Sequence, residues 1–386
     1  MSKKILISGY TYVDESTIKT FDYYPEKENI HFLVPKTWPL KGGKYIYRAP
    51  VKENVRTTKA FFTHSNYPVI GGIFKGLMPV FPIELFRQKP DVVFSASEPN
   101  ILTTFYQGFF SKLFGAKHII FTWETIPYEK KFKGLRGMIQ RFVVKLNLLF
   151  CDGLICGSTR GQQMISSLTN KPTAIIPLSG IDTKFFTRDY SQKSFRGVNY
   201  ADSVVFSFAG AIGYRKGVHL IIKAFDEISK KISNVKLIIA GSGEYDEQIA
   251  ELINKSDSRP KIIRVPWLGR DELLQLFNSS DIFLYPSIPY IGWEEQFGFS
   301  LAEASSMELP IITTQSGSIS EVVLDGKTGI LIQADDYVAL REAMIILADD
   351  EQKIISMGRA GRQFINDTYS NPVIARKFYN FFNTLK

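Results

Sequence analysis

The chain has little with which to cross-link itself or hold a metal. Two cysteines occur in 386 residues, Cys151 and Cys156 in CDGLICGS, and their odd separation puts them on opposite faces of any strand. That argues against a disulfide scaffold and fits a reducing compartment. The four histidines, 31, 64, 118 and 219, have no metal-ligand spacing, and no Asp-x-Asp occurs, so no metal is expected. There is no complete Walker A sequence, and no zinc-finger or RNA-recognition motif. The start, MSKKILISGY, enters a strand-like run directly, without the basic, apolar and small-residue regions of a signal peptide. A cytoplasmic location is therefore expected. The best apolar stretch, FVVKLNLLFCDGLIC, is broken by Lys145 and Asp152 and is shorter than the ~20 residues of a membrane span.

What is present describes a folded protein of two domains. Roughly 150 residues per domain divides this length in two, and 45% hydrophobic with 22% charged residues is a globular composition. Forty-seven basic against 38 acidic residues leave +9, which favours anionic partners: nucleotides, phosphates, acidic lipid headgroups or nucleic acid. Apart from residues 128–150 the basic residues are dispersed, and no nucleic-acid partner is expected.

Short β-branched or aromatic runs alternate with stretches of helical periodicity. They are KILISGY, IHFLVP, DVVFSA, HIIFTW, GLICGS and AIIPLS in the first half, then VVFSFAG, VKLIIAG, KIIRVPW, DIFLYPS, PIITTQ and GILIQ. Near-continuous apolar strands separated by helix-length segments are what parallel sheets covered on both faces require. The fold class expected is α/β, two doubly wound Rossmann-like domains facing a central cleft. The polar, turn-rich stretch 187–203 places the boundary, giving an N-terminal domain over 1–190 and a C-terminal one over 191–370. The last helical stretch, 371–386, is expected to cross back to the first domain.

Ligands of such sheets bind at the loops after the strands. IAGSGEYDEQI places Gly241, Ser242 and Gly243 between strand and helix, but Asp246 stands where a dinucleotide fingerprint wants its third glycine, and a plain tight turn is expected. FAGAIGYRKG sets Arg215 and Lys216 just before a helix, a receptor for a diphosphate or a solvated loop. WEEQFGFSLAEAS carries Glu295 and Glu303 on either side of Gly298. Ser300-Leu-Ala-Glu303 reads as a capping box. Acids beside an anion site make sense when they accept hydrogen bonds from the hydroxyls of a sugar and a ribose flanking a diphosphate.

The segment from YPS at 285 through EEQFGFSLAEAS to LPIITTQSGSISEVVLDGKTGILI resembles the donor-binding signature of the family 4 glycosyltransferases, retaining enzymes of the GT-B fold. The Lys216-Gly217 turn, IAGSGE, WLG at 267–269 and SGIDTKFF at 179–186 match in order; the N-terminal half matches in layout only. The resemblance implies that Glu303 holds the donor ribose and Glu295 the hydroxyls of the transferred sugar. Backbone N–H groups of Phe297, Gly298, Phe299, Ser300 and Leu301 would meet the diphosphate and sugar, and Lys216 would neutralise the leaving group. Gly210, Gly241, Ser242, Gly243, Trp267 and Leu268 would line the donor, its base included. Gly9, Tyr10, Glu98, Trp123 and Glu124 would stand on the acceptor side.

Three positions depart from the family pattern. Ala211 replaces an arginine, for which Arg215 is the candidate substitute; Gly317-Ser318-Ile319-Ser320-Glu321 replaces G-G-x-P-E; and Glu124 stands where many members carry histidine. The function expected is metal-independent hexosyl transfer with retention, from a nucleotide-diphosphate sugar to a hydroxyl acceptor, lipid-linked and polysaccharide acceptors included. No cofactor beyond the sugar nucleotide itself is expected. The alternatives are a sugar-nucleotide-binding protein without catalysis, a nucleic-acid-binding protein, or another enzyme such as an epimerase or phosphorylase on the same scaffold.

Residues 128–150 hold Lys130, Lys131, Lys133, Arg136, Arg141 and Lys145 with Leu135, Met138, Ile139, Phe142 and Val143 at helical spacing. Such a helix either lies on an anionic membrane or packs its apolar face on the first sheet.

Overall fold

The computed structural model describes residues 2–39, 46–63, 70–290 and 292–385; His64 and Lys386, named above, lie outside them, as does the side chain of Arg136. The chain forms two compact units, one of residues 1–180 with the segment from Asn371 onward, the other Ile181–Ser370.

The first unit is built on seven parallel strands: β1 Ile5–Ser8, β2 Ile30–Pro35, β3 Val55–Thr58, β4 Val92–Ser95, β5 Lys117–Thr122, β6 Gly153–Cys156 and β7 Thr173–Ile175. Their order is β3-β2-β1-β4-β5-β6-β7. β1, β4 and β6 are buried at every position, as strands covered on both faces must be. β3, VRTT, is a polar edge strand without the apolar signature that marks the others. The helix Asn371–Thr384 completes this unit. Its Phe378 and Phe382 rings lie 5.6 and 5.8 Å from Phe94 of β4, and Phe378 is 5.0 Å from Phe21. Lys3 Nζ donates to the carbonyls of Phe382 and Leu385, the terminal acceptors that such a helix leaves unpaired.

The second unit carries six parallel strands: β8 Val204–Ala209, β9 Val235–Ala240, β10 Ile262–Val265, β11 Ile282–Tyr285, β12 Ile311–Thr314 and β13 Gly329–Ile332. The order β10-β9-β8-β11-β12-β13 repeats that of the first six strands of unit one. In both, the order reverses at one point, between β1 and β4 and between β8 and β11. In open α/β sheets, ligands bind outside the carboxyl ends of the strands at such a reversal. SGIDTKFF joins this unit from Ile181 on: Arg270 pairs with Asp182 at 2.7 Å and its guanidinium lies 4.2 Å over Phe185.

Residues 128–150 form two helices, Tyr128–Lys131 and Gly134–Phe150. Packing of the apolar stripe on the sheet is overturned for most of it. Leu135 is 72% exposed and Phe142 60%, with Met138 and Ile139 exposed as well; Val143, Val144 and Leu148 turn inward instead. The inward face is displaced around the helix from the stripe because helix Leu102–Leu113 and the sheet take the side bearing Val143 and Asn147, whose amide donates to the carbonyls of Pro99 and Ile101. Among the described residues, no helix is long and apolar enough to cross a membrane.

Candidate functional site

Two loops meet at the β8/β11 reversal. After β8 the chain runs to a single 3-10 turn, Tyr214–Lys216, and enters helix Val218–Lys231 through Gly217. Gly217 sits at φ 68°, and a Cβ there would stand 2.1 Å from the Pro286 carbonyl oxygen, so only glycine lets the two loops touch. The contact is reinforced when Ile288 N–H and Ser287 Oγ donate to the Arg215 carbonyl, at 2.8 and 3.2 Å. From the other side Gly317, φ 58°, lets the loop after β12 close to within 2.0 Å, counted from where a Cβ would be, of the Glu295 carbonyl oxygen. Ser318 N–H donates to that oxygen at 2.8 Å.

These contacts bury a cation and an anion together. Lys216 is 6% exposed and Glu295 7%, and Lys216 Nζ lies 2.5 Å from Glu295 Oε2. The same ammonium donates to the Tyr285 phenol, which donates to Oε2 at 3.0 Å; Ser287 Oγ adds a longer bond at 3.4 Å. All of Glu295's side-chain bonds thus fall on one oxygen, and among the described residues Oε1 has no partner. Burial lowers the Lys216 pKa, and Glu295 works against that by favouring the ammonium; burial and the same carboxylate drive the Tyr285 phenol well above its ordinary value. The phenol therefore stays a donor at any physiological pH. Trp293 closes the site: the Arg215 guanidinium lies 3.8 Å over its ring and Lys216 Nζ 5.1 Å. Among the described residues Arg215 has no acidic partner.

Glu295 leads into helix Phe299–Ser306, capped by Gly298 in the left-handed region. The capping-box reading is thereby corrected: Ser300 is already the second helical residue, so its side chain cannot cap, and Glu303 lies half-buried further along the helix. The glycine took the cap because the tight approach here requires positive φ. Leu301 N–H donates to the Gly298 carbonyl at 2.9 Å, closing the first turn of the helix. The Phe297 ring is buried against Tyr369, 5.1 Å away, and Leu301 is buried, so these two present backbone only.

The turns after β8, β9 and β10 line up along the same edge. Gly210 N–H donates to the Ala240 carbonyl, Ile212 N–H to the Ser242 carbonyl and Gly241 N–H to the Val265 carbonyl. Trp267 projects from the last of these turns and Leu268 is half-buried beside it. Asp246 accepts from Gly243 N–H at 3.0 Å and pairs with Arg264 at 2.7 Å. Its carboxylate thus braces the turn at Gly243 and ties it to β10 through Arg264.

In the first unit, Glu98, Trp123 and Glu124 gather at the end of β5. Glu98 accepts from Thr122 Oγ1 at 2.7 Å and Trp123 N–H at 2.8 Å; Glu124 accepts from Ile126 N–H and pairs with Lys131. Burial pushes the Glu98 carboxyl up to about 7. Gly9 and Tyr10 follow β1, where Tyr10 stacks on Trp38 at 4.2 Å beneath Lys75 Nζ at 4.4 Å. Sequence reasoning missed Tyr285, Trp293 and this Trp38 stack; the only signal was their aromatic character beside named loops. Among the described residues no group of three or more His, Cys, Asp or Glu could hold a metal.

Residues 189–364 match the family model described as glycosyl transferases group 1. The chain is 28% identical over 267 residues to the capsular polysaccharide biosynthesis glycosyltransferase CapM of Staphylococcus aureus, covering 65% of this chain and 67% of that protein. It is 27% identical over 194 residues to a GDP-mannose-dependent phosphatidylinositol monomannoside mannosyltransferase of Mycolicibacterium smegmatis, covering 49% and 51%. The matched stretches thus span half to two thirds of these curated relatives. Anabaena HepE, solved in complex with UDP and glucose, superposes with a TM-score of 0.75 at 15% identity over the whole of both chains. The fold is that of the GT-B glycosyltransferases, and the chain is homologous to glycosyltransferases.

Proposed function

We propose that this chain, which carries a group 1 glycosyltransferase domain over residues 189–364, moves a hexosyl group from a nucleotide-diphosphate sugar to a hydroxyl acceptor, with retention of configuration and without a metal. The observation that carries the reading is the buried Lys216–Glu295 pair at the β8/β11 reversal, with Oε1 unclaimed and Arg215 beside it. An ammonium has three donors. Two are engaged by Glu295 and Tyr285, and the third is available to a phosphate oxygen. Breaking the sugar–phosphate bond builds negative charge on the departing diphosphate, and fixed cations with helix-start amides aimed at it lower the barrier. Lys216 and Arg215 would supply the cations, with the helix start at 298–301 turned toward the diphosphate; no Asp-x-Asp is needed for that charge.

Glu295 Oε1 would accept from a hydroxyl of the transferred sugar, and Glu303 from the ribose. Glu295 is not the nucleophile in this reading: its other oxygen is anchored by the lysine. The acceptor oxygen bonds to the anomeric carbon on the face the diphosphate leaves, and its proton passes to the departing phosphate oxygen. Gly210, Gly241 to Gly243, Trp267 and Leu268 would border the base; Gly9, Tyr10, Glu98, Trp123 and Glu124 would serve the acceptor.

Two experiments test this. A thermal-shift screen over UDP-, GDP- and ADP-sugars should pick out one donor, since a ligand that binds only the folded state raises its stability. With that donor, Lys216→Ala, Glu295→Ala and Glu303→Ala should each cut transfer at least about 100-fold. Near-normal kinetics in all three would remove the assignment.

A peripheral membrane setting with a lipid-linked acceptor is supported by the exposed Leu135, Met138, Ile139 and Phe142 ridge flanked by Lys130, Lys131, Lys133, Arg141 and Lys145. The neighbouring helix Leu102–Leu113 adds exposed Phe109 and Leu113. Apolar side chains of this size left in water beside cations suit the headgroup boundary of an anionic bilayer.

A further inference from the structure

We infer that Tyr285 is a positioning residue of the donor site, a neutral clamp that fixes the Lys216 ammonium and the Glu295 carboxylate in one arrangement before any donor arrives. The inference rests on the transferase reading for its kinetic consequences only.

Three features of the geometry carry it. Tyr285 ends β11, the strand at the sheet reversal, and its backbone is held by Thr313 Oγ1, which donates to its carbonyl at 2.7 Å. Its ring, 4% exposed, stacks on Phe208 at 5.9 Å and 15° and on Phe283 at 6.3 Å and 21°, so the phenol oxygen has one place to be. That oxygen accepts from Lys216 and donates to Glu295 Oε2, bridging the pair from the side. The ammonium also lies 4.6 Å over the same ring.

A lysine–carboxylate pair alone is a flexible joint, because an ammonium donor fits a carboxylate over a wide cone and both side chains rotate. A third group bonded to both removes that freedom. Oε2 is kept for the clamp, Oε1 is presented outward, and one lysine N–H is left pointing away from both partners. The division of labour between the two carboxylate oxygens is thus set by Tyr285, with Ser287 assisting. The charged groups facing this cluster are Glu295 and Arg215, the first favouring the ammonium and the second opposing it. Without the phenol the buried ammonium keeps one acceptor fewer.

The test is Tyr285→Phe, which deletes the hydroxyl and keeps the stacked ring. Protein carrying ¹³Cε-lysine is titrated by NMR, the Lys216 resonance being assigned by its loss in Lys216→Arg. Losing one hydrogen bond to a charged group should lower the Lys216 midpoint by roughly one pH unit. The alkaline limb of kcat/KM should move down with it, and kcat/KM should fall about 10-fold at neutral pH. A folded variant whose lysine titrates as in the parent overturns the inference, whatever its activity. So does a fall in kcat/KM that tracks a lower melting temperature with no movement of either titration. A parent chain that transfers no sugar from any donor, but whose lysine shifts as described, sinks the transferase reading and leaves the clamp standing. If Tyr285→Phe does not fold, Tyr285→Leu, which also lacks the hydroxyl, is read against the same titration.

Discussion

Glu295→Gln exposes the physics of the site independently of any substrate. The change keeps shape and removes one charge, leaving the Lys216 ammonium buried beside two aromatic rings with no counter-ion. Breaking a buried pair by removing one partner costs about 3–5 kcal/mol, most of it the price of the stranded charge. For a unit the size of residues 181–370, each kcal/mol corresponds to about 2–4 °C, so its melting transition should drop by roughly 6–20 °C. Converting the partner as well, Lys216→Met with Glu295→Gln, removes the stranded charge. The double variant should therefore melt above the single one, a non-additivity that only directly coupled residues show. The pH dependence follows from the direction of the lysine shift. Because its folded pKa lies below the ordinary value, the folded state holds fewer protons than the unfolded state between the two values, and this group's contribution to stability rises with pH across that window. The deficit of Glu295→Gln should accordingly be largest near neutrality and shrink in alkali, where the stranded lysine is neutral. Scanning calorimetry of the three variants across pH decides it. A Glu295→Gln transition within about 2 °C of the parent, or a double variant no more stable than the single, would refute the claim that the pair is buried and mutually dependent.

Two further outcomes are expected. Glu98 keeps a proton in the folded state up to about 7 that an ordinary carboxyl, at 4.5, has lost, so its contribution to stability falls as pH rises between those values. Glu98→Gln cannot lose that proton and should gain on the parent by on the order of 3 kcal/mol between pH 5 and pH 8 in urea titrations; parallel curves would contradict the assignment. Leu135→Glu combined with Phe142→Glu should weaken sedimentation with anionic vesicles at least 10-fold, since two large side chains lose roughly 1.5–3 kcal/mol each of apolar burial. Parent protein that fails to bind such vesicles, or binds neutral ones equally in any salt, would remove the membrane reading.

Most of the fold was legible because its sheets are buried on both faces. The strands of the second unit were marked by largely apolar runs, broken by Lys236 in β9 and Arg264 in β10, and the runs exist because a strand between two layers of helix has little solvent face to fill with polar residues. β3 escaped for the same reason inverted: VRTT lies at the sheet edge, half in water, and nothing in its composition distinguishes it from a loop. The ridge of residues 128–150 misled differently. Helical spacing identifies an apolar stripe but not what covers it, and here Leu135 and Phe142 follow the period while facing solvent, whereas the buried face was chosen by Asn147 reaching the carbonyls before helix Leu102–Leu113.

The site was legible in its charges and illegible in its aromatics, and the cause lies in how each kind of residue is constrained. A lysine beside Gly217 and a glutamate before Gly298 stand out because an acid and a base with flanking glycines are uncommon in turns. Tyr285 closes an apolar strand, where a tyrosine is ordinary, and only the fold turns its hydroxyl toward the pair. Trp293 is separated by 78 positions from Arg215, and nothing local to either one announces a cation lying flat on a ring. The same holds for Ala211. Its missing arginine reads as a lesion when the loop is scanned alone, yet Arg215 sits in the same loop with its guanidinium fixed on Trp293 and its carbonyl bonded to the loop after β11. If a positive charge near the diphosphate is what the site requires, its source along the chain is free to move as long as a partner surface holds it. On the transferase reading, Arg215→Ala should then cut kcat/KM by roughly 10-fold or more, and adding Ala211→Arg to it should recover part of that loss in the same assay.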